Sequence, residues 1–82
     1  MKEMLDYWLD SYSFEEGETV QLLQGDRTCG LYQTKRKYLY KHYYYPDVMY
    51  HVWDGREHIV CRHYPTAYKL WEQRRNERKE SP

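Results

Sequence analysis

Eighty-two residues with zero formal net charge leave room for one small core, and they lack the basic excess that most nucleic-acid-binding domains carry. No apolar run approaches the length of a membrane span. Mean hydropathy is low, yet aromatic residues make up 18% of the chain, which separates it from disordered polymers of similar polarity.

The chain starts Met1-Lys2-Glu3-Met4-Leu5-Asp6, too acidic for a secretory leader, so a cytoplasmic location is the expectation. Cys29 and Cys61 then read as reduced, semi-apolar strand residues rather than a disulfide. Charge is segregated along the chain. Residues 1–27 hold seven acids against Lys2 and Arg27, a net of −5, and residues 28–82 hold the balancing +5. Unless folding brings the halves together, that asymmetry is a dipole able to steer a partner.

Met1, Leu5, Trp8, Leu9 and Tyr12 recur at helical spacing and predict a short amphipathic helix over 1–12. The stretch Glu15-Glu16-Gly17-Glu18 reads as an acidic turn. A first strand follows over 19–23 and ends at the turn signal Gln24-Gly25-Asp26. A second covers 28–34, with Gly30 marking a bulge or bend, and Lys35-Arg36 reads as a charged connection. A third, over 37–44, rests on tyrosine density, and Pro46-Asp47 reads as the next turn.

Asp54-Gly55, between strand-like runs over 48–53 and 56–62, predicts a two-residue type I′ hairpin. That register sets Trp53 against Arg56, Val52 against Glu57, His51 against His58, Tyr50 against Ile59 and Val48 against Cys61. One face, with Val48, Tyr50, Val52, Ile59 and Cys61, reads as core. The opposite face, with Met49, His51, Trp53, Arg56, His58 and Val60, reads as wetter. With Pro46-Asp47 as a two-residue turn, His42 falls beside His51 and Tyr40 beside Trp53 on that second face, with Tyr38 and Tyr44 along it. A second helix opens at Pro65-Thr66 and runs to residue 80, docking Tyr64, Ala67, Tyr68 and Trp71 on the core face and ending in a solvated charged tail. No repeats or low-complexity segments occur.

Together these elements predict one α+β, mainly β, domain over 1–82: helix 1–12, a five-stranded antiparallel sheet over 18–62 and helix 65–80. The motifs Gly17-Glu18-x-Val20-x-Leu22, Gly30-Leu31, Tyr50-x-Val52-Trp53-Asp54-Gly55-Arg56 and Ile59-Val60 resemble those of SH3-like small barrels of the KOW and Tudor type. The resemblance covers residues 14–62 and implies a barrel that binds peptides or nucleic acids without catalysis.

Eleven tyrosines, six of them between Tyr38 and Tyr50, exceed what so small a core encloses and point to a binding surface. The expected role is a non-enzymatic regulator or inhibitor that engages a protein partner through Tyr38, Tyr40, Tyr44, Trp53 and Arg56. Lys35, Arg36 and Lys37, interleaved with tyrosines up to Tyr44, support the alternative of single-stranded nucleic acid, whose bases stack on rings and whose phosphates meet cations. A third reading places His42, His51 and His58 on adjacent strands as a metal cluster. A tyrosine-rich strand also suits a homodimer. The sequence carries no nucleophile–base motif or phosphate loop, so no cofactor and no enzymatic activity are expected.

Overall fold

Lys41 and His42 both adopt positive φ, 49° and 69°, the signature of a type I′ turn, and the chain reverses there. This position decides the topology. The structure, a computed structural model, describes residues 8–14 and 16–80; at Ser11, 38–40, Tyr44, Tyr45 and 78–80 the description is of the backbone alone. Its elements are α1 (Trp8–Ser11), β1 (Thr19–Gly25), β2 (Gly30–Tyr40), β3 (Tyr43–Trp53), β4 (His58–Cys61) and α2 (Tyr64–Glu80). Residues 1–7 of the expected first helix lie outside the described residues.

Among the described residues the expected five strands are four, in an open antiparallel sheet of order β1-β2-β3-β4. With β1 and β4 on opposite edges, the barrel closure implied by the SH3-like resemblance is absent among the described residues. Two readings of the sequence account for the difference. Lys35-Arg36 is not a connection: β2 continues through it, and Arg36 Nε meets Asp47 Oδ2 across the ladder at 2.9 Å. Pro46-Asp47 is not a turn. Counting from the Lys41-His42 turn, Pro46 falls at a non-hydrogen-bonded pair with Lys37, so its missing N–H lies on the open side of β3, where β4 does not reach.

The Asp54-Gly55 hairpin is shifted by one residue. Trp53 pairs with His58, Val52 with Ile59, His51 with Val60 and Tyr50 with Cys61. Gly55, at φ 93°, and Arg56 form the centre of the loop. Asp54 Oδ1 accepts the Arg56 and Glu57 amides at 2.9 and 2.8 Å. The register changes by two residues, so the assignment of side chains to faces survives.

The face of Val52 and Leu31 is covered by α2, as expected. Leu31, Val52, Ala67, Cys29 and Trp71 form its buried core, with Tyr50, Ile59, Cys61 and Tyr68 at the margin. Pro65 sits in the first turn of α2, where it lacks nothing a helix would use, and the His63 carbonyl accepts Ala67 N at 3.1 Å. Trp71 Nε1 donates to the Cys29 carbonyl at 3.1 Å, locking α2 onto the β1–β2 loop. That loop requires Gly25: its φ is 78°, and a Cβ would lie 2.2 Å from the Cys29 oxygen. Gly30 is not the bend; the sheet irregularity falls on β1, between Leu22 and Gln24.

The second face is the larger correction. Its centre is not wet, because α1 lies over it and Trp8, Tyr32 and Trp53 make a second buried cluster with Leu9 and Tyr12 at its edge, while Arg56 and Val60 stay exposed.

Candidate binding surface

β1 pairs with β2 only as far as Lys35, and β4 pairs with β3 only from Tyr50. Beyond those limits β2 and β3 pair with each other alone, from Arg36 with Asp47 to Tyr40 with Tyr43. This two-stranded ribbon projects about 17 Å past the four-stranded body, taking about 3.4 Å per residue pair. It contributes to overall extents of 53 × 32 × 15 Å and a Cα radius of gyration of 14.2 Å, above the roughly 12 Å of an average chain this long.

The ribbon and its root concentrate charge. Lys35, Arg36, Lys37 and Lys41 stand against Asp47, a net of +3 in a neutral chain. Lys35 and Lys37 are exposed and, two residues apart on one strand, share a face. Arg36 is half-buried against Asp47, whose other oxygen meets Arg62 Nη1 at 3.4 Å. Tyr43 at the tip is 67% exposed, the most open of the large hydrophobic side chains described. A cavity of about 420 Å³ lies at the root, lined by Glu16, Gly17, Thr19, Lys35, Arg36 and Lys37. The tip turn holds Lys41 and His42 in left-handed backbone that Asn-Gly adopts at less cost.

Of the expected binding residues, the structure therefore gathers Lys35, Arg36, Lys37 and the backbone of Tyr38, Tyr40 and Tyr44 into the ribbon. Trp53 and Arg56 are not part of it. Trp53 is buried at the far end of β3, and Arg56 occupies the β3–β4 turn beyond it. Tyr43, at the ribbon tip, was not singled out by sequence reasoning; the positive φ pair beside it is invisible in a turn that lacks glycine.

The histidines divide likewise. His42 is exposed in the Lys41-His42 turn, away from the other two. His51 is fully buried, and its Nε2 lies 2.7 Å from Thr34 Oγ1 and its Nδ1 2.8 Å from His58 Nε2. A neutral imidazole donates from one nitrogen and accepts at the other, so the Thr34–His51–His58 chain is satisfied with both rings uncharged. Trp8 stacks on both, with centroids 4.5 Å from each. Burial pushes the His51 pKa down to about 4, with the neighbouring His58 adding to it, and burial also lowers His58. The two rings hydrogen-bond each other instead of converging on a common ion, and the described residues contain no group of three or more metal-ligating side chains.

A third polar cluster ties the β3–β4 turn to α2. Arg74 Nη1 donates to Asp54 Oδ2 at 2.9 Å, and Arg74 Nη2 lies 3.1 Å from Glu57 Oε1. Burial would raise the Asp54 carboxyl, but the Arg56 and Glu57 amides and the Arg74 guanidinium outweigh it and hold the pKa below its ordinary value. Cys29 and Cys61 are both free thiols. No described helix is long and apolar enough to cross a membrane. Comparison with protein-family models, curated proteins and solved structures finds no match for this chain.

Proposed function

We propose that this chain is a small non-enzymatic binding module, a regulator or inhibitor, that engages an acidic surface of a protein partner through the β2–β3 ribbon. The projecting ribbon carries the reading: it holds the chain's densest run of tyrosines and, with Lys35 at its root, a local charge of +3. Tyrosine gives contact area at little entropic cost, and lysines around it steer association, a division of labour common at protein interfaces. This reading puts the partner surface at the end of the sheet opposite Trp53 and Arg56. Single-stranded nucleic acid is the second reading, supported by the exposed Lys35 and Lys37 beside the root cavity.

Photocrosslinking tests the first reading. A benzoylphenylalanine at Tyr43 is expected to capture one protein species, and the same group at Gln73, exposed on α2, is not. Lys35→Ala with Lys37→Ala should slow capture and reduce its salt dependence. Because Trp8, Trp53 and Trp71 are all buried, intrinsic tryptophan emission is a poor reporter of stacking. The nucleic-acid arm is therefore anisotropy of a labelled oligonucleotide. Saturable, salt-sensitive binding abolished by the lysine changes, without a protein adduct at Tyr43, would replace the first reading by the second.

A further inference from the structure

The two sheet edges are guarded very differently. The β3–β4 edge has Pro46 and Asp47 along its unpaired stretch, and β4 is only four residues long. Those are ordinary devices against strand addition. The β1 edge has no proline, charge or shortness to guard it, and its one irregularity lies past Leu22. Thr19–Gly25 reads Thr-Val-Gln-Leu-Leu-Gln-Gly, seven residues without charge or proline, and all but Leu23 are exposed.

The backbone of β1 is also in phase for pairing with itself. The Lys41-His42 turn makes Tyr40 and Tyr43 a hydrogen-bonded pair, so even-numbered residues of β2 bond to β3 and odd-numbered ones to β1. Thr19 and Gln21, opposite Lys35 and Gln33, therefore spend their backbone groups on β2. Val20 and Leu22 point theirs out of the sheet. These two residues also expose their side chains, 40% and 44%, and they share one face, opposite Thr34 and Tyr32. Phe14, 42% exposed, stands edge-on to Tyr12, whose hydroxyl donates to Glu18 just before the strand. Half of the exposed large hydrophobic residues described thus gather at this edge.

We infer that β1 pairs antiparallel with β1 of a second copy of this chain, about a two-fold axis through Gln21, to form a continuous eight-stranded sheet. In that register Val20 faces Leu22 of the other copy, and Leu22 faces its Val20. Each of these pairs exchanges two backbone hydrogen bonds, four in all, and the four aliphatic side chains form one row on the α1 face. Glu18 meets Gln24 rather than an acid. Moving the axis to Leu22 would set Glu18 against Asp26, and moving it to Leu23 would set Val20 against Asp26, so charge selects the register at Gln21. The contact is small, so dissociation belongs in the micromolar range or above. It is independent of the ribbon.

Sedimentation equilibrium of the full chain, from about 1 to about 500 μM, brackets that affinity. A reversible monomer–dimer equilibrium is expected, and Leu22→Lys should weaken it by about tenfold or more by opposing an ammonium to an aliphatic side chain. Gln21→Cys supplies a readout that survives any folding defect in that variant. The Gln21 pair is non-hydrogen-bonded, with Cα atoms about 4.5 Å apart, within disulfide reach. Mild oxidation should therefore link Gln21→Cys chains, but not Gln24→Cys chains, whose cysteines lie about 20 Å apart. A monomer throughout the range with no Gln21→Cys dimer overturns the inference, as does a dimer indifferent to Leu22→Lys or cross-linked equally from position 24.

Discussion

The two faces of this sheet bury neighbouring residues of the same strand by opposite chemistry. Val52 is enclosed by Ala67 and Trp71 of a long helix, in a core of aliphatic and indole groups. His51, one residue earlier and equally buried, sits beneath α1, hydrogen-bonded to Thr34 and His58 and capped by Trp8. An aliphatic core is indifferent to protons, whereas an imidazole pair stays buried only while neutral. The α2 face should therefore supply stability at every pH, and the α1 face should be conditional.

The sharpest way to break the comparison is to remove the anchor of the unconditional face. Trp71→Ala deletes a nearly fully buried indole and its hydrogen bond to the Cys29 carbonyl, and should cost about 3–5 kcal/mol. That is comparable to the whole stability of a domain this small, so the variant should be unfolded or nearly so at 37 °C by circular dichroism. A cooperative transition near that of the parent chain would show that α2 is not what holds the sheet.

Acid should break the other face. The folded His51 pKa, about 4, lies below the ordinary 6.5, so between those values the unfolded chain binds more protons than the folded one. Stability from the neutral pair is complete above about pH 6.5 and is lost progressively toward pH 4, by about 3 kcal/mol for His51 alone. His58 shifts in the same direction and adds to the loss. Urea midpoints measured from pH 7.5 to 4.5 should fall steeply, and His51→Gln, which keeps a donor and an acceptor, should flatten the slope. Equal slopes in the two proteins would remove the imidazole pair as the cause.

How much of this was legible in the sequence follows from what each signal depends on. Face assignment was legible because period-two alternation survives a two-residue slip, so the docking of Ala67, Tyr68 and Trp71 on Val52 and Ile59 stands despite the shifted turn at Asp54. The strand count was not. Proline and paired charges are read as punctuation, but Pro46 is tolerated on an unpaired strand side, and Arg36 and Asp47 neutralise each other across the ladder. The true reversal at Lys41-His42 carries no glycine or asparagine to announce it. The placement of the expected binding residues in the fold was legible only in part. Lys35, Arg36, Lys37 and the backbone of Tyr38, Tyr40 and Tyr44 fall together on or beside the β2–β3 ribbon, whereas Trp53 is buried at the other end of β3, because no strand pattern reveals that α1 folds back over the second face.

A milder change tests how the β3–β4 turn belongs to the α2 side. Asp54→Ala removes the acceptor of two backbone amides and the partner of Arg74 together, and should cost about 2 kcal/mol. Asp54→Asn retains one oxygen for the amides and should cost about half as much. If Arg74→Ala alone proved as damaging as Asp54→Ala, the ion pair rather than the capped turn would be the main term. Thermal melts of the three variants at pH 7 decide between these.

The smallest expected effect bears on how α1 is held. Tyr12 stands edge-on to Trp8 and to His51, and its hydroxyl donates to Glu18 Oε2 at 3.0 Å, with burial and then that carboxylate raising the phenol pKa. Tyr12→Phe keeps the ring packing and removes only the hydrogen bond, so global stability should fall by about 0.5–1.5 kcal/mol. The loss should be local. Amide exchange is expected to accelerate at residues 8–12 and at the start of β1, while the amides of α2 keep their protection. Uniform acceleration in both helices would mean that the two faces open together, and the division between a permanent and a conditional core would fail. Selective acceleration would show that α1 can lift from the imidazole pair while α2 keeps the sheet intact, the same opening that acid is expected to drive.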